Sequence, residues 1–169
     1  KRSVVLDLKL AADVEKLHRL CETADILFQN LRPGVVDEIG IGPEAMLKRH
    51  PRLIYCSITG FGQTGPYAQR PGYDAMIQAS GGLMGITGEP GEPPTKVGVA
   101  IADIMTGVYS IVGILAALHE RSRTGKGTHL DMALLDTQVA MLANPAMSYL
   151  VSGQVPERHG NAHANLVPY

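Results

Sequence analysis

Cysteine is scarce in this chain. Cys21 and Cys56 are the two among 169 residues, too few for a disulfide scaffold, so a reduced, cytoplasmic setting is expected. Charge of one sign is not in excess either. Lys and Arg number 15 and Asp and Glu 16, a net charge of −1. Without a basic surplus, a nucleic-acid or anionic-membrane binder is disfavoured. No apolar run is read as approaching the ~18 residues of a membrane span. No targeting pattern opens the chain, and no internal repeat or low-complexity tract runs through it. The P-loop pattern GxxxxGK[ST] does not occur. Hydrophobic residues make up 45% and charged residues 18%, which is the composition of an ordinary globular domain with a real core.

What is present is punctuation. The 19 glycines and 11 prolines fall mostly into clusters, which marks shaped loops between regular elements. Residues 1–9 read as a strand from their short apolar run. Val14, Leu17, Cys21 and Ala24 make one helical face, and 24–29 a short buried strand. A turn follows at Asn30-Leu31-Arg32-Pro33-Gly34, then a helix opening at Gly42-Pro43-Glu44. The clearest strand, 52–59, runs into the glycine-rich stretch Gly60-Phe61-Gly62-Gln63-Thr64-Gly65-Pro66. A short helix is expected from Tyr73 to Ala79 and a long loop from Gly81 to Gly98. Ile104, Val108, Ile111, Val112, Leu115 and Leu118 then make an amphipathic helix that Thr124-Gly125-Lys126-Gly127 ends. A strand over 128–133 and a helix over 134–151, interrupted near Pro145, complete the pattern. Strands alternating with helices predict an α/β fold, a Rossmann-like parallel sheet with flanking helices.

Asp103 is the first residue with chemical promise. It stands where 97–102 gives way to the long helix. There it can act as a cap, worth ~1 kcal/mol, or as a carboxylate kept ionised by the helix dipole and available as a nucleophile. The glycines after Thr59 can let backbone amides approach an anion, or form a merely structural turn. The six histidines are scattered. His159 and His163 are four apart, but Gly160 interrupts any helix there, so no metal site is expected. Ser57 has no readable His and Asp partners.

Several stretches together resemble the family III CoA-transferases, the group that contains formyl-CoA transferase, carnitine CoA-transferase and the α-methylacyl-CoA racemases. They are 3–9, Asn30 to Gly34, Tyr55 to Gly62, Pro71-Gly72-Tyr73-Asp74, Gly98 to Gly107, Arg123 to Gly127, and the tail from Gly160 to Tyr169. The resemblance spans essentially the whole chain. It implies that Asp103 is the catalytic aspartate, attacking an acyl-CoA thioester to give a mixed anhydride and then an aspartyl-CoA thioester. It implies coenzyme A as the carrier, with no metal. Lys9 would approach the nucleotide phosphates, and Asn30 and Leu31 would line the CoA site. Gly60, Phe61, Gly62 and Tyr73 would shape the substrate pocket.

Three positions depart from the family pattern. Glu38 replaces a phosphate-contacting Arg of some members, Ile39 replaces a Met, and Pro71 replaces a CoA-contacting Lys. Tyr73 stands where the racemase branch carries His. Tyrosine is a poor base at neutral pH, which favours transfer over the alternative of acyl-CoA racemisation. The glycine-loop run looks closest to members using succinyl-CoA and dicarboxylates, with Arg32 and Arg70 as candidate cations for a distal carboxylate. The partners implied are an acyl-CoA and a small carboxylic acid, without nucleic acid or membrane. The 169 residues are expected to be the middle of a longer chain whose parent is a homodimer, and a CoA-binding segment inactive alone is a further alternative.

Overall fold

The computed structural model describes residues 1–168. Tyr169, the end of the family-like tail, lies outside the described residues. Three strands form one parallel sheet in the order β1 (Ile26–Gln29), β2 (Ile54–Thr59), β3 (His129–Ala133). Parallel neighbours need crossovers, and the crossovers carry the helices. Before the sheet comes α1 (Ala11–Cys21). Between β1 and β2 lie α2 (Val35–Glu38) and α3 (Pro43–Arg49), the latter opened by Pro43 in its first turn. Between β2 and β3 lie α4 (Asp74–Ser80), α5 (Leu83–Ile86) and the long α6 (Ile101–Thr124). After β3 come α7 (Leu134–Met141) and α8 (Ala143–Ser152). The α/β expectation holds.

Two apolar clusters anchor the sheet. Cys21, Val36, Ile41, Met46, Leu53 and Tyr55 fill one side, and the Tyr55 hydroxyl donates to the Ile41 carbonyl at 2.9 Å. Burial pushes the Tyr55 phenol up to about 12, so it stays neutral. Ile77, Ala102 and Leu134 form the second cluster, beneath the start of α6. Cys21 and Cys56 are both buried, and burial raises their thiols, which keeps them inert.

Four expectations are corrected. Residues 1–6 form no strand. Val4 and Val5 are exposed and have no ladder partner among the described residues, while Asp7 and Asp13 tie the following turn to α1. The expected loop from Gly81 to Gly98 carries a short helix, α5. The interruption expected near Pro145 is there, at Leu142 and Ala143. Pro145 lacks an amide hydrogen and crowds the carbonyl four residues back, so the chain turns at Ala143 (φ 43°).

The third correction concerns the face of α6. The apolar positions that define its periodicity lie outward, with Ile104, Val108, Ile111, Val112 and Leu115 between 46% and 60% exposed. Ala102, Thr106, Ser110 and Ala117 face inward instead. The reason is space. Small residues let the helix close on the sheet, and a Cβ at Gly113 would stand 3.5 Å from Leu130. Thr106 and Ser110 satisfy their hydroxyls on the carbonyls of Ala102 and Thr106, four residues back. The fourth correction concerns the same helix. Taken by length and composition, Ile101–Thr124 is long and apolar enough to cross a membrane, contrary to the reading that no stretch is.

Gly125 ends α6 in the left-handed conformation (φ 73°) and donates to the Arg121 carbonyl at 2.8 Å. Arg121 reaches back to the strand starts. It donates to Asp25 Oδ1 at 2.7 Å and to the Arg52 carbonyl at 2.9 Å. The far end of α6 is thereby pinned to the crossover side of the sheet.

Candidate active site

All three strands end towards one cleft. The loops after β1 and β2 and the start of α7 after β3 enclose about 610 Å³, together with the 69–73 segment and the first turn of α6. Open parallel sheets bind ligands at their carboxyl edge for this reason: the loops there converge and the helices begin there. Asp103, Asn30, Leu31, Gly60 and Tyr73 all line the cleft, as do Arg32 and Arg70. Arg70 also lies over the Tyr67 ring, 4.1 Å from its centroid.

Asp103 is the third residue of α6, one turn inside the expected cap position. Its carboxylate does not cap the helix. Ala100 precedes the helix and offers no side-chain oxygen, yet the first four amides of α6 are satisfied. Ile101 donates to the Val99 carbonyl at 2.8 Å and Ile104 to the Ala100 carbonyl at 3.0 Å. The amides of Ala102 and Asp103 donate to Asp74 Oδ1 at 2.8 and 3.3 Å. Asp74, in the first turn of α4, therefore caps α6, whereas the helix it opens has no side-chain cap. The Asp103 carboxyl is held above its ordinary value, first by partial burial and then by the Asp74 charge. That opposes the lowering expected from the helix dipole alone.

Phe61 and Gly62 do not line the cleft. Phe61 packs edge-on to Tyr67, centroids 5.6 Å apart, and the Gly62 amide donates to Thr59 Oγ1 at 2.9 Å. The Gln63 amide donates to Asp131 at 2.9 Å. These two amides are committed internally, to Thr59 and to the Asp131 carboxylate, and so are not turned to a bound anion. Gly60-Phe61-Gly62-Gln63-Thr64-Gly65 has the spacing GxGxxG, but the next helix begins only at Asp74, so no helix N-terminus backs the loop.

Lys9 sits apart from Asp103. It lines a second hollow of about 410 Å³ with Glu15, His18, Glu38, Ile39 and Arg49. Glu38 lines both hollows and links them. Arg49 in this second hollow is held by Glu15 through bonds of 2.9 and 2.7 Å.

A polar relay crosses the sheet behind the cleft, and nothing in the chain order pointed to it. The Leu31 amide donates to Gln29 Oε1 at 2.7 Å, and Gln29 Nε2 donates to Ser57 Oγ at 2.9 Å. Ser57 Oγ lies 3.0 Å from His129 Nε2. Gln29 and Ser57 are register partners on adjacent strands, which sequence spacing cannot show. Ser57 is fully buried and outside the cleft lining, so the pair is a brace and not a nucleophile with its base. Burial lowers the His129 imidazole below its usual value. Among the described residues, no group of three or more His, Cys, Asp or Glu is arranged to hold a metal ion. His163 is turned to the backbone amides of Asn165 and Leu166.

A parallel α/β sheet with a carboxylate at a helix start, opening into a cleft at the carboxyl edge, defines the class of domain. Comparison with known proteins places it further: residues 1–169 match CoA-transferase family III, and the chain belongs to that family. It is 52% identical over 169 residues to a succinate–glutarate CoA-transferase of Agrobacterium fabrum, covering all of this chain and 42% of that one. It is 44% identical over 170 residues to an acetyl-CoA:oxalate CoA-transferase of Acetobacter aceti, covering 44% of that protein. A CAIB/BAIF family protein from Brucella suis, solved by crystallography, superposes with a TM-score of 0.94 at 53% identity, over all of this chain and 45% of that one. The chain thus spans less than half the length of these relatives.

Proposed function

We propose that the protein containing this chain is a CoA-transferase that moves CoA from an acyl-CoA, with succinyl-CoA as the donor to test first, to a free dicarboxylic acid. The observation that carries this is Asp103. Its carboxylate is released from capping duty, is more basic than usual, and lines a cleft at the carboxyl edge of the sheet. A carboxylate in that setting can act as a nucleophile.

In this reading Asp103 attacks the thioester carbonyl, and CoA leaves as its thiolate. The thiolate attacks the Asp103 carbonyl of the mixed anhydride, and the donor acid departs. The acceptor carboxylate then attacks the aspartyl-CoA thioester, and the released thiolate takes the acceptor's acyl group from the new anhydride, which restores Asp103. Each step exchanges one activated acyl bond for another, so no ATP is consumed. Water must be kept from the anhydride, a task suited to the walls of Asn30, Leu31, Gly60 and Tyr73. Arg32 and Arg70 supply positive charge on the same wall for a distal carboxylate. Lys9, in the adjoining hollow, suits a phosphate. A homodimeric parent belongs to the same proposal.

The test uses the full-length protein. Exchange from succinyl-CoA to glutarate is expected, and it is abolished in Asp103→Asn. Borohydride trapping during turnover is expected to reduce the Asp103 side chain, read by peptide mass. Exchange that persists undiminished in Asp103→Asn would overturn the assignment. Deuterium entering the α-carbon without exchange would favour a racemase instead.

A further inference from the structure

We propose that Asp74 is a positioning residue for the nucleophile: held by Gln78, its carboxylate caps α6 from a neighbouring helix and fixes the backbone of Asp103. The inference rests on the reading of Asp103 as the nucleophile and adds the group that holds it in place.

Both carboxylate oxygens of Asp74 are engaged. Asp74 Oδ1 takes the amides of Ala102 and Asp103, and its Oδ2 takes Gln78 Nε2 at 2.7 Å. Gln78 is fully buried, and its Oε1 accepts the Val97 amide at 2.8 Å. One dyad therefore clamps the segment entering α6 and the first turn of α6 together. A cap is normally supplied by the residue just before the helix. Here Ala100 cannot supply it, so the position of Asp103 depends on α4.

The capping atom is also a charge. An anion is favourable at a helix N-terminus, but this one stands beside a second carboxylate that must itself ionise to react. Ser, Thr or Asn would cap without that repulsion. The charge makes Asp103 more basic, and a more basic anion is the stronger nucleophile once ionised. The other ionisable groups facing Asp103 across the cleft are Arg32 and Arg70, Glu38 of α2, and Tyr73. Asp136, the ionisable residue of α7, is not among the cleft-lining residues.

The experiment is done on the full-length protein. Asp74→Asn keeps Oδ1 for both amides and removes the charge, and it also gives up the bond from Gln78 Nε2, which an Asn Nδ2 cannot accept. The expected result is a kcat about ten-fold lower, with KM for the CoA thioester within about two-fold. The acid limb of the pH–rate profile moves to lower pH. An isotope-edited infrared titration of the Asp103 carboxyl, with Asp103→Asn as blank, is expected to move the same way. Asp74→Ala, which loses the cap, is expected to lower kcat about a hundred-fold. An unmoved Asp103 titration in folded Asp74→Asn, or a change in KM alone, overturns the inference and leaves the nucleophile reading standing. Should both variants fail to fold, residue-resolved hydrogen exchange on the unaltered protein decides: protected amides at Ala102 and Asp103 support the clamp, and fast exchange there overturns it. Loss of the nucleophile reading shows separately, as exchange activity that survives Asp103→Asn.

Discussion

Gly60→Ala tests whether the cleft depends on two loops meeting backbone to backbone. A Cβ at Gly60 would lie 2.5 Å from Gly72 Cα and 2.9 Å from the Gly72 carbonyl oxygen. Both obstacles are main chain, so no side chain can swing aside. Ordinary contact begins near 3.4 Å, so the loops must part by about 0.9 Å. Gly72 is two residues from Asp74. Moved by that amount, the 2.8 Å bond from the Ala102 amide to Asp74 lengthens past hydrogen-bonding range. A reacting group misplaced by about 1 Å can cost on the order of a hundred-fold in rate, or about 2.7 kcal/mol of transition-state stabilisation. Overpacking itself costs about 1–3 kcal/mol of folding stability. The assay is steady-state exchange by the full-length variant, with the melting temperature measured alongside. The expected result is a kcat lowered far more than stability explains at the assay temperature. A kcat within about three-fold of the parent, in a protein that melts normally, would refute the dependence of Asp103 on this contact.

Asp103→Asn is expected to raise the melting temperature at neutral pH while removing activity. The raised carboxyl contributes stability that is full below its unfolded value and lost as pH rises through the folded one, so ionisation costs stability at neutral pH. The gain should vanish well below the ordinary value of 3.8, and a gain that persists there would contradict it. Gln29→Ala removes the acceptor of the Leu31 amide and the donor to Ser57, and is expected to raise KM for the CoA thioester several-fold with kcat nearly unchanged; kinetics with CoA thioester as the varied substrate check this. His18, His50 and His129 are all lowered by burial below the ordinary 6.5. Their stability contribution is present above that value and lost as pH falls through the folded ones, so the melting temperature should decline below about pH 6.5. A flat profile from pH 8 to 5 would count against it. Arg121→Met removes the tie from α6 to Asp25 and Arg52 and is expected to cost about 2–3 kcal/mol in urea unfolding.

Elements whose cause is local were legible in the chain. Pro43 opening α3, Gly125 closing α6 and the β2 run from Ile54 to Thr59 carry their reasons within a few residues. The face of α6 was not legible, because its outward aliphatic row makes a stronger pattern than the inward Ala102, Thr106, Ser110 and Ala117. Residues 1–9 look like a strand by composition alone, but a strand needs a neighbour. Asp103 stood out through its place at the helix start and through the family resemblance. The Asp74–Gln78 pair lay four residues apart on a helix, a spacing that was there to be used. The Gln29–Ser57–His129 brace depends on strand register and could not have been read in advance.

The division between loops and clamp bears on how such a cleft can diverge. Asp103 is held by α4 and α6, whereas Arg32 and Arg70 belong to the loop segments that border the same space. Under the proposed function, acid preference and bond-making chemistry therefore fall on different segments of the chain. In that reading a designer, or natural drift, can recast Arg32 towards another acid without touching the amides at Asp103, whereas Arg70 stands two residues from Gly72, whose place bears on Asp74. The reverse does not follow: any change at Asp74 reaches every substrate alike.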